Sequence, residues 1–105
     1  MILLKKPGNA RAMSLSVRRT AVSTAGCRCG VSVYTREEYD LTHAGAHDDQ
    51  EGFFVLEGRG RAMVGDDEIV LEPGVCFVVP AGVKHCMKCE QDSGFCKVFW
   101  FHAAV

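Results

Sequence analysis

The 105-residue chain carries 12 basic and 13 acidic side chains, a formal net charge of −1, and 48% hydrophobic residues. That length holds one domain whose core has a thin margin. The near-balance of charge leaves no basic surplus for nucleic acid, and no apolar run is long enough to cross a membrane.

Residues 1–14 begin "MILLKKPGNARAM" and read as an N-terminal arm ahead of a single domain over 15–105. Only four apolar residues precede the first lysines, the reverse of a secretory signal, so a cytoplasmic protein is expected. In that compartment the six cysteines stay reduced, and most read as small buried hydrophobes. From Leu15 onward, short apolar stretches alternate with Gly, Pro and Asp breaks. "VSVYT", "GFFVLEG", "RAMVG", "EIVLEPG", "CFVVPAG" and "CKVFWFH" all read as strands, rich in β-branched and aromatic residues. "VGDDEIV" predicts a hairpin turning at Gly65, Asp66 and Asp67. No apolar pattern of helical period is sustained, so the expected fold class is all-β, a sandwich or barrel. Pro73 and Pro80 sit at strand edges, where a missing amide hydrogen is tolerated.

The stretch "HAGAHDDQE", residues 43–51, concentrates the chemistry. If "LTHAGAH" is a strand, His43, Gly45 and His47 share one of its faces. Asp48, Asp49 and Gln50 read as connecting turn residues rather than ligands. On the following strand Glu51, Phe53 and Val55 share a face. After the Pro-Gly turn of "PAGVKHCMKC", His85, Met87 and Cys89 share another. Were these faces to point into one barrel, His47, Glu51 and His85 would converge. Two imidazoles and a carboxylate hold one divalent transition metal (Fe, Mn, Zn or Ni) and leave coordination positions open. Phe53, Val55 and Met87 are then candidates to line a pocket for a small organic ligand.

Other residues have plainer readings. "GRGRAMVG" has no following helix to bind an anion, so it reads as a turn with Arg59 and Arg61 exposed. "CRC" at 27–29 and "CMKC" at 86–89 raise the alternative of a four-cysteine zinc site. On a strand, however, Cys86 and Cys89 face opposite ways with α-carbons about 10 Å apart, beyond the roughly 7 Å limit for a disulfide. Trp100 and His102 share one face of the last predicted strand, and Phe99 and Phe101 the other. His102 reads as an ordinary residue of a strand that closes the barrel.

The spacing of these residues resembles the cupin superfamily. His47, Glu51 and Gly58 match its first pattern, and Gly74, Pro80, Gly82 and His85 match its second. The resemblance implies a double-stranded β-helix, or jelly-roll, barrel with a metal in its mouth. Two positions depart from the pattern. The usual first histidine would fall at Gly45, and Cys89 replaces the usual asparagine. His43 lies two residues before Gly45, about 6.6 Å along an ideal strand, while a metal–nitrogen bond is about 2.1 Å. His43 becomes a fourth ligand only if a bulge, which Gly45 permits, brings it in.

Because the superfamily hosts many activities, two functions stay open. One is a metal-dependent dioxygenase or isomerase, in which the ion acts as a Lewis acid or binds oxygen beside the substrate. The other is a module that senses a sugar or other effector; a structural domain with a vestigial pocket is a third. The expected partners are a small-molecule ligand or substrate and a second copy in a homodimer, with no nucleic acid and no membrane. The arm before Leu15 is a candidate for swapping onto that copy.

Overall fold

The computed structural model of the chain describes residues 11–14, 17–24 and 27–103, with side chains described from Cys27 onward except that of His43. Among the described residues nine strands form: β1 (Arg11–Ser14), β2 (Val17–Thr24), β3 (Cys27–Tyr34), β4 (Gln50–Gly58), β5 (Gly60–Val64), β6 (Asp67–Leu71), β7 (Cys76–Val79), β8 (His85–Cys89) and β9 (Cys96–Ala103). All six stretches read as strands contribute to them. The predicted hairpin joins β5 to β6, with Val64 opposite Asp67 and Gly65 at φ 57°, a conformation that costs glycine little. The swap candidate falls partly on β1, which pairs with β2; residues 1–10 lie outside the described residues. No helix among the described residues is long and apolar enough to cross a membrane.

Every paired strand is antiparallel to its neighbours. One sheet runs β1-β2-β3-β9-β4-β7 and the other β6-β5-β8. The fold is therefore all-β, and the jelly-roll expectation holds. Phe53 and Val55 on β4, Val98 on β9, Val79 on β7, Ala62 on β5, Leu71 on β6, Cys89 on β8 and Cys96 on β9 form the buried core between the sheets. Alternation explains this set: on β4, Glu51, Phe53 and Val55 turn inward while Phe54 and Leu56 are exposed. The inward side chains come from strands of both sheets, so the core requires both at once.

Register across the six-stranded sheet arranges the inward side chains in rows. Arg28, His102, Glu51 and Val79 make one row; Gly30, Trp100, Phe53 and Phe77 make the next. A bulge follows, where the pairing jumps from Val55–Val98 to Glu57–Lys97. The first row holds the polar residues, at one end of the barrel. The second holds stacked aromatics, with the Phe53 and Phe77 rings 5.0 Å apart.

One expected strand is absent. Leu41–His43 is a short 3-10 turn, and only Gly45 makes a bridge, to His85. The Thr42 hydroxyl donates to the Asp40 carboxylate at 2.6 Å, and Arg36 pairs with Asp40 at 3.3 Å. Such local side-chain bonds favour turns over extended backbone. His43 thus ends a turn rather than sharing a strand face with His47, and its side chain lies outside the described residues.

Candidate metal centre

Glu51 is the centre of the site. Its carboxylate is buried, with 7% of the residue exposed, and it is placed by β4 alternation directly opposite His102. A buried charge is costly unless partnered, and three imidazoles supply the partners. His85 Nε2 stands 2.9 Å from Oε1, His47 Nε2 stands 3.4 Å from Oε1, and His102 Nε2 stands 3.1 Å from Oε2.

Each histidine is held by backbone that the motifs supply. His85 opens β8, and its amide and carbonyl bridge those of Gly45 at 3.0 and 3.2 Å. Its Nδ1 donates to the Val83 carbonyl at 3.2 Å, which leaves Nε2 turned toward Glu51. His47 has no strand, but its carbonyl accepts the Gly82 amide at 2.8 Å. The Pro80–Gly82 turn therefore clamps the loop that carries His47, with Gly82 at φ 81°. A Cβ added at Gly45 would meet the His47 ring at 3.8 Å, an ordinary van der Waals contact that requires no shift.

Electrostatics differ between the two motif histidines. The hydrogen bond to Glu51 raises the His85 pKa above the usual histidine value against the opposing effect of burial. Burial lowers that of His47, opposed by Glu51 and reinforced by the neighbouring His102 and His85. His47 therefore gives up its proton more readily than an ordinary histidine, and His85 less readily.

The donor set fits a first-row divalent ion. Ligand atoms at the usual bond length from one centre lie roughly 2.9–3.4 Å apart at octahedral to tetrahedral angles. The two distances to Oε1 span that interval, and the donor atoms of His47, Glu51 and His85 all lie within 4.8 Å of one another. This is the only such group among the described residues. The cysteine alternative finds no support there: no metal-holding group among the described residues includes a cysteine. Arg59 is exposed as expected and Arg61 is half-buried, and both are committed, Arg59 to Asp92 and Arg61 to Glu68 and Glu90.

The apolar residues singled out from the sequence lie just inside. Phe53 meets the His85 ring at 5.8 Å between centroids, Val55 is fully buried deeper in the core, and half-buried Met87 packs against it. The residue that sequence reading missed is His102. It occupies the closing strand as expected, yet its ring faces Glu51 and meets His47 edge-on at 4.7 Å. Its shared face with Trp100 was visible in the sequence; its place opposite Glu51 was not. Asp49, read as a turn residue, also reaches the site, with Oδ1 2.9 Å from His102 Nδ1.

A family model described as a cupin domain matches residues 34–102. No curated protein matches the chain. Among solved structures, an RmlC-like cupin from Shewanella frigidimarina superposes with a TM-score of 0.78 at 16% identity, over 92% of this chain and 84% of that one. The iron(II) form of HppE gives 0.77 at 18% identity, over 95% of this chain and 59% of that one, so this chain spans about three-fifths of its length. KdgF from Halomonas sp. gives 0.72 at 15% identity, over 92% and 87%. At these identities the likeness is one of fold.

Proposed function

The chain belongs to the cupin family, and from that premise we propose that it binds one divalent transition metal through His47, Glu51 and His85 beside a pocket for a small organic molecule. The observation that carries this reading is a buried carboxylate whose Oε1 is faced by two Nε2 atoms at 2.9 and 3.4 Å. The iron(II) in the HppE structure makes iron the first ion to test, ahead of manganese, zinc and nickel. Metal analysis of protein purified without added metal, followed by chelation and reloading, tests the reading; a chain that takes up no equivalent of any of these ions rejects it.

Such an ion supplies Lewis-acid polarisation of a substrate oxygen when bound. The chain's own residues do the rest. His47, whose side chain is 37% exposed, stands at the solvent side, while His85 and Glu51 are each 9% exposed at the side chain. Phe53 and Phe77 make an apolar wall that excludes water beneath them. A dioxygenase or isomerase acting on a small organic substrate is the activity to test first, by oxygen uptake with catechols, thiols and keto compounds. One observation favours a binding module instead: Glu51 and Asp49 are both engaged by histidines, so neither stands free as a general base. Thermal shifts with sugars, without turnover, would select that alternative.

Metal uptake should depend on pH through His85. Its raised pKa means that Nε2 keeps a proton toward Glu51 to higher pH than an ordinary histidine, and that proton must leave before Nε2 can ligate. The same contact stabilises the metal-free fold below the unfolded histidine's value and is lost as pH rises through the folded one. The gain in melting temperature on adding metal should therefore grow between about pH 6 and about pH 8, and titration calorimetry in buffers of different ionisation enthalpy should register proton release. A gain that is flat across this range would contradict the assignment of His85.

The outer face of the six-stranded sheet suits a second copy. Phe54, Leu56, Val78 and Phe101 are all exposed there, and the Phe101 ring lies over Gly52, where any side chain would collide with it. An exposed apolar patch of this kind commonly marks an interface. Light scattering coupled to size exclusion should report a homodimer, and Val78→Lys with Phe101→Lys should give a monomer with unchanged metal content. A wild-type monomer at micromolar concentration rejects this part of the proposal.

A further inference from the structure

We infer that His102 is a positioning residue: with Asp49 it forms a chain, Asp49–His102–Glu51, that fixes one oxygen of the Glu51 carboxylate so that the other is presented to His47 and His85. The inference rests on the metal-site reading above and assigns a role to two residues outside its ligand set.

The geometry divides the carboxylate in two. Oε2 faces His102 Nε2 at 3.1 Å, and Oε1 faces His85 at 2.9 Å and His47 at 3.4 Å. The far nitrogen of the same ring, Nδ1, is held by Asp49 Oδ1 at 2.9 Å. Arg28 Nη2 also approaches Nδ1, but at 3.5 Å it is at the limit of a hydrogen bond, so Asp49 is the working partner. A ring hydrogen-bonded to Asp49 at one nitrogen and set 3.1 Å from the Glu51 carboxylate at the other has little freedom to turn. Trp100, edge-on at 5.5 Å, and His47, edge-on at 4.7 Å, close in on it as well. His102 and Glu51 are both buried, so their contact is shielded from water, while the Asp49 end of the chain is partly exposed.

The chain draws on three segments: the loop before β4 for Asp49, β4 for Glu51 and β9 for His102. Without the hold on Oε2, the carboxylate could rotate about its terminal torsion, which is broad by nature. The ligand oxygen would then be one arrangement among several. Groups that orient a ligand in this way typically contribute 10–100-fold in metal affinity.

Cobalt(II) binding to the full chain tests this, read by chelator competition and by visible absorption. His102→Ala should still bind one equivalent at saturation, with affinity reduced roughly 10–100-fold. His102→Gln, whose amide N–H can still donate to Oε2, should recover most of that loss, with absorption bands at the wild-type positions because the ligand set is unchanged. Asp49→Asn should weaken binding by a few-fold, about the low end of the same range. The melting temperatures of the metal-free variants should show them folded. Unchanged affinity in His102→Ala would overturn the inference and leave the metal site standing. Shifted bands and no rescue in His102→Gln would also overturn it, by making His102 itself a ligand. A wild-type chain that binds no cobalt would overturn the metal-site reading, and this inference with it.

Discussion

Glu51→Gln should abolish stoichiometric metal binding, lowering affinity by more than the roughly 100-fold upper end of what orienting groups contribute. The substitution keeps the side chain's shape and removes its charge. Glu51 is the one residue that all three imidazoles approach, at 2.9, 3.4 and 3.1 Å, so it is the anion that offsets the charge of an incoming cation. The amide that replaces it has one oxygen to accept with and an NH2 that points donors where a cation should sit. Metal analysis and chelator competition measure the effect, and circular dichroism establishes that the variant is folded. Wild-type affinity in this variant would show that the carboxylate is no ligand.

The second large effect falls on stability rather than on the site. Leu71→Ala should destabilise the fold by about 2–5 kcal/mol, the range for removing a fully buried leucine. Leu71 is fully buried, at the end of β6 opposite Gly60, where the smaller sheet meets the core of the larger one. Gly60 has no side chain to fill the void, and any added there would collide with the Lys88 carbonyl, so the cavity cannot collapse from that side. For a domain of this size the melting temperature should fall on the order of 15 °C. Because Leu71 touches none of the three ligands, the folded variant should keep its metal stoichiometry at low temperature. A fall of under about 0.5 kcal/mol, the scale of surface substitutions, would mean that the two sheets are not packed as described.

The pairing of these two predictions separates the parts of the molecule. The core is built from side chains spread over both sheets, and the site from Glu51 and His102 in one row of the larger sheet, His85 from the smaller sheet and His47 from a loop. Damage to the row should cost metal and little stability, and damage to the core the reverse.

Much of this was legible in the sequence. The strands over 52–58, 61–65 and 96–102, the hairpin at Gly65 and the shared faces of Glu51 with Phe53 and of His85 with Met87 all follow from period-two alternation and turn chemistry, which are local properties. The reading failed where the local signal was divided. "LTHAGAH" alternates like a strand, but the bonds from Thr42 and Arg36 to Asp40 turn the chain into a 3-10 turn. His47 consequently reaches the site from a loop held by Gly82 and by the bridge from Gly45 to His85.

By itself, then, the sequence determined the fold class, the shared faces along β4 and β8, and the grouping of His47, Glu51 and His85. Only the tertiary structure decided that His102 stands opposite Glu51 and that Asp49 reaches its far nitrogen. The physical reason is register. A slip of one residue between β4 and β9 would turn a buried face outward, and the apolar pattern forbids it. A slip of two residues keeps every face correct and would put Trp100, rather than His102, against Glu51. Alternation cannot distinguish those registers; the packing of both sheets around the shared core does.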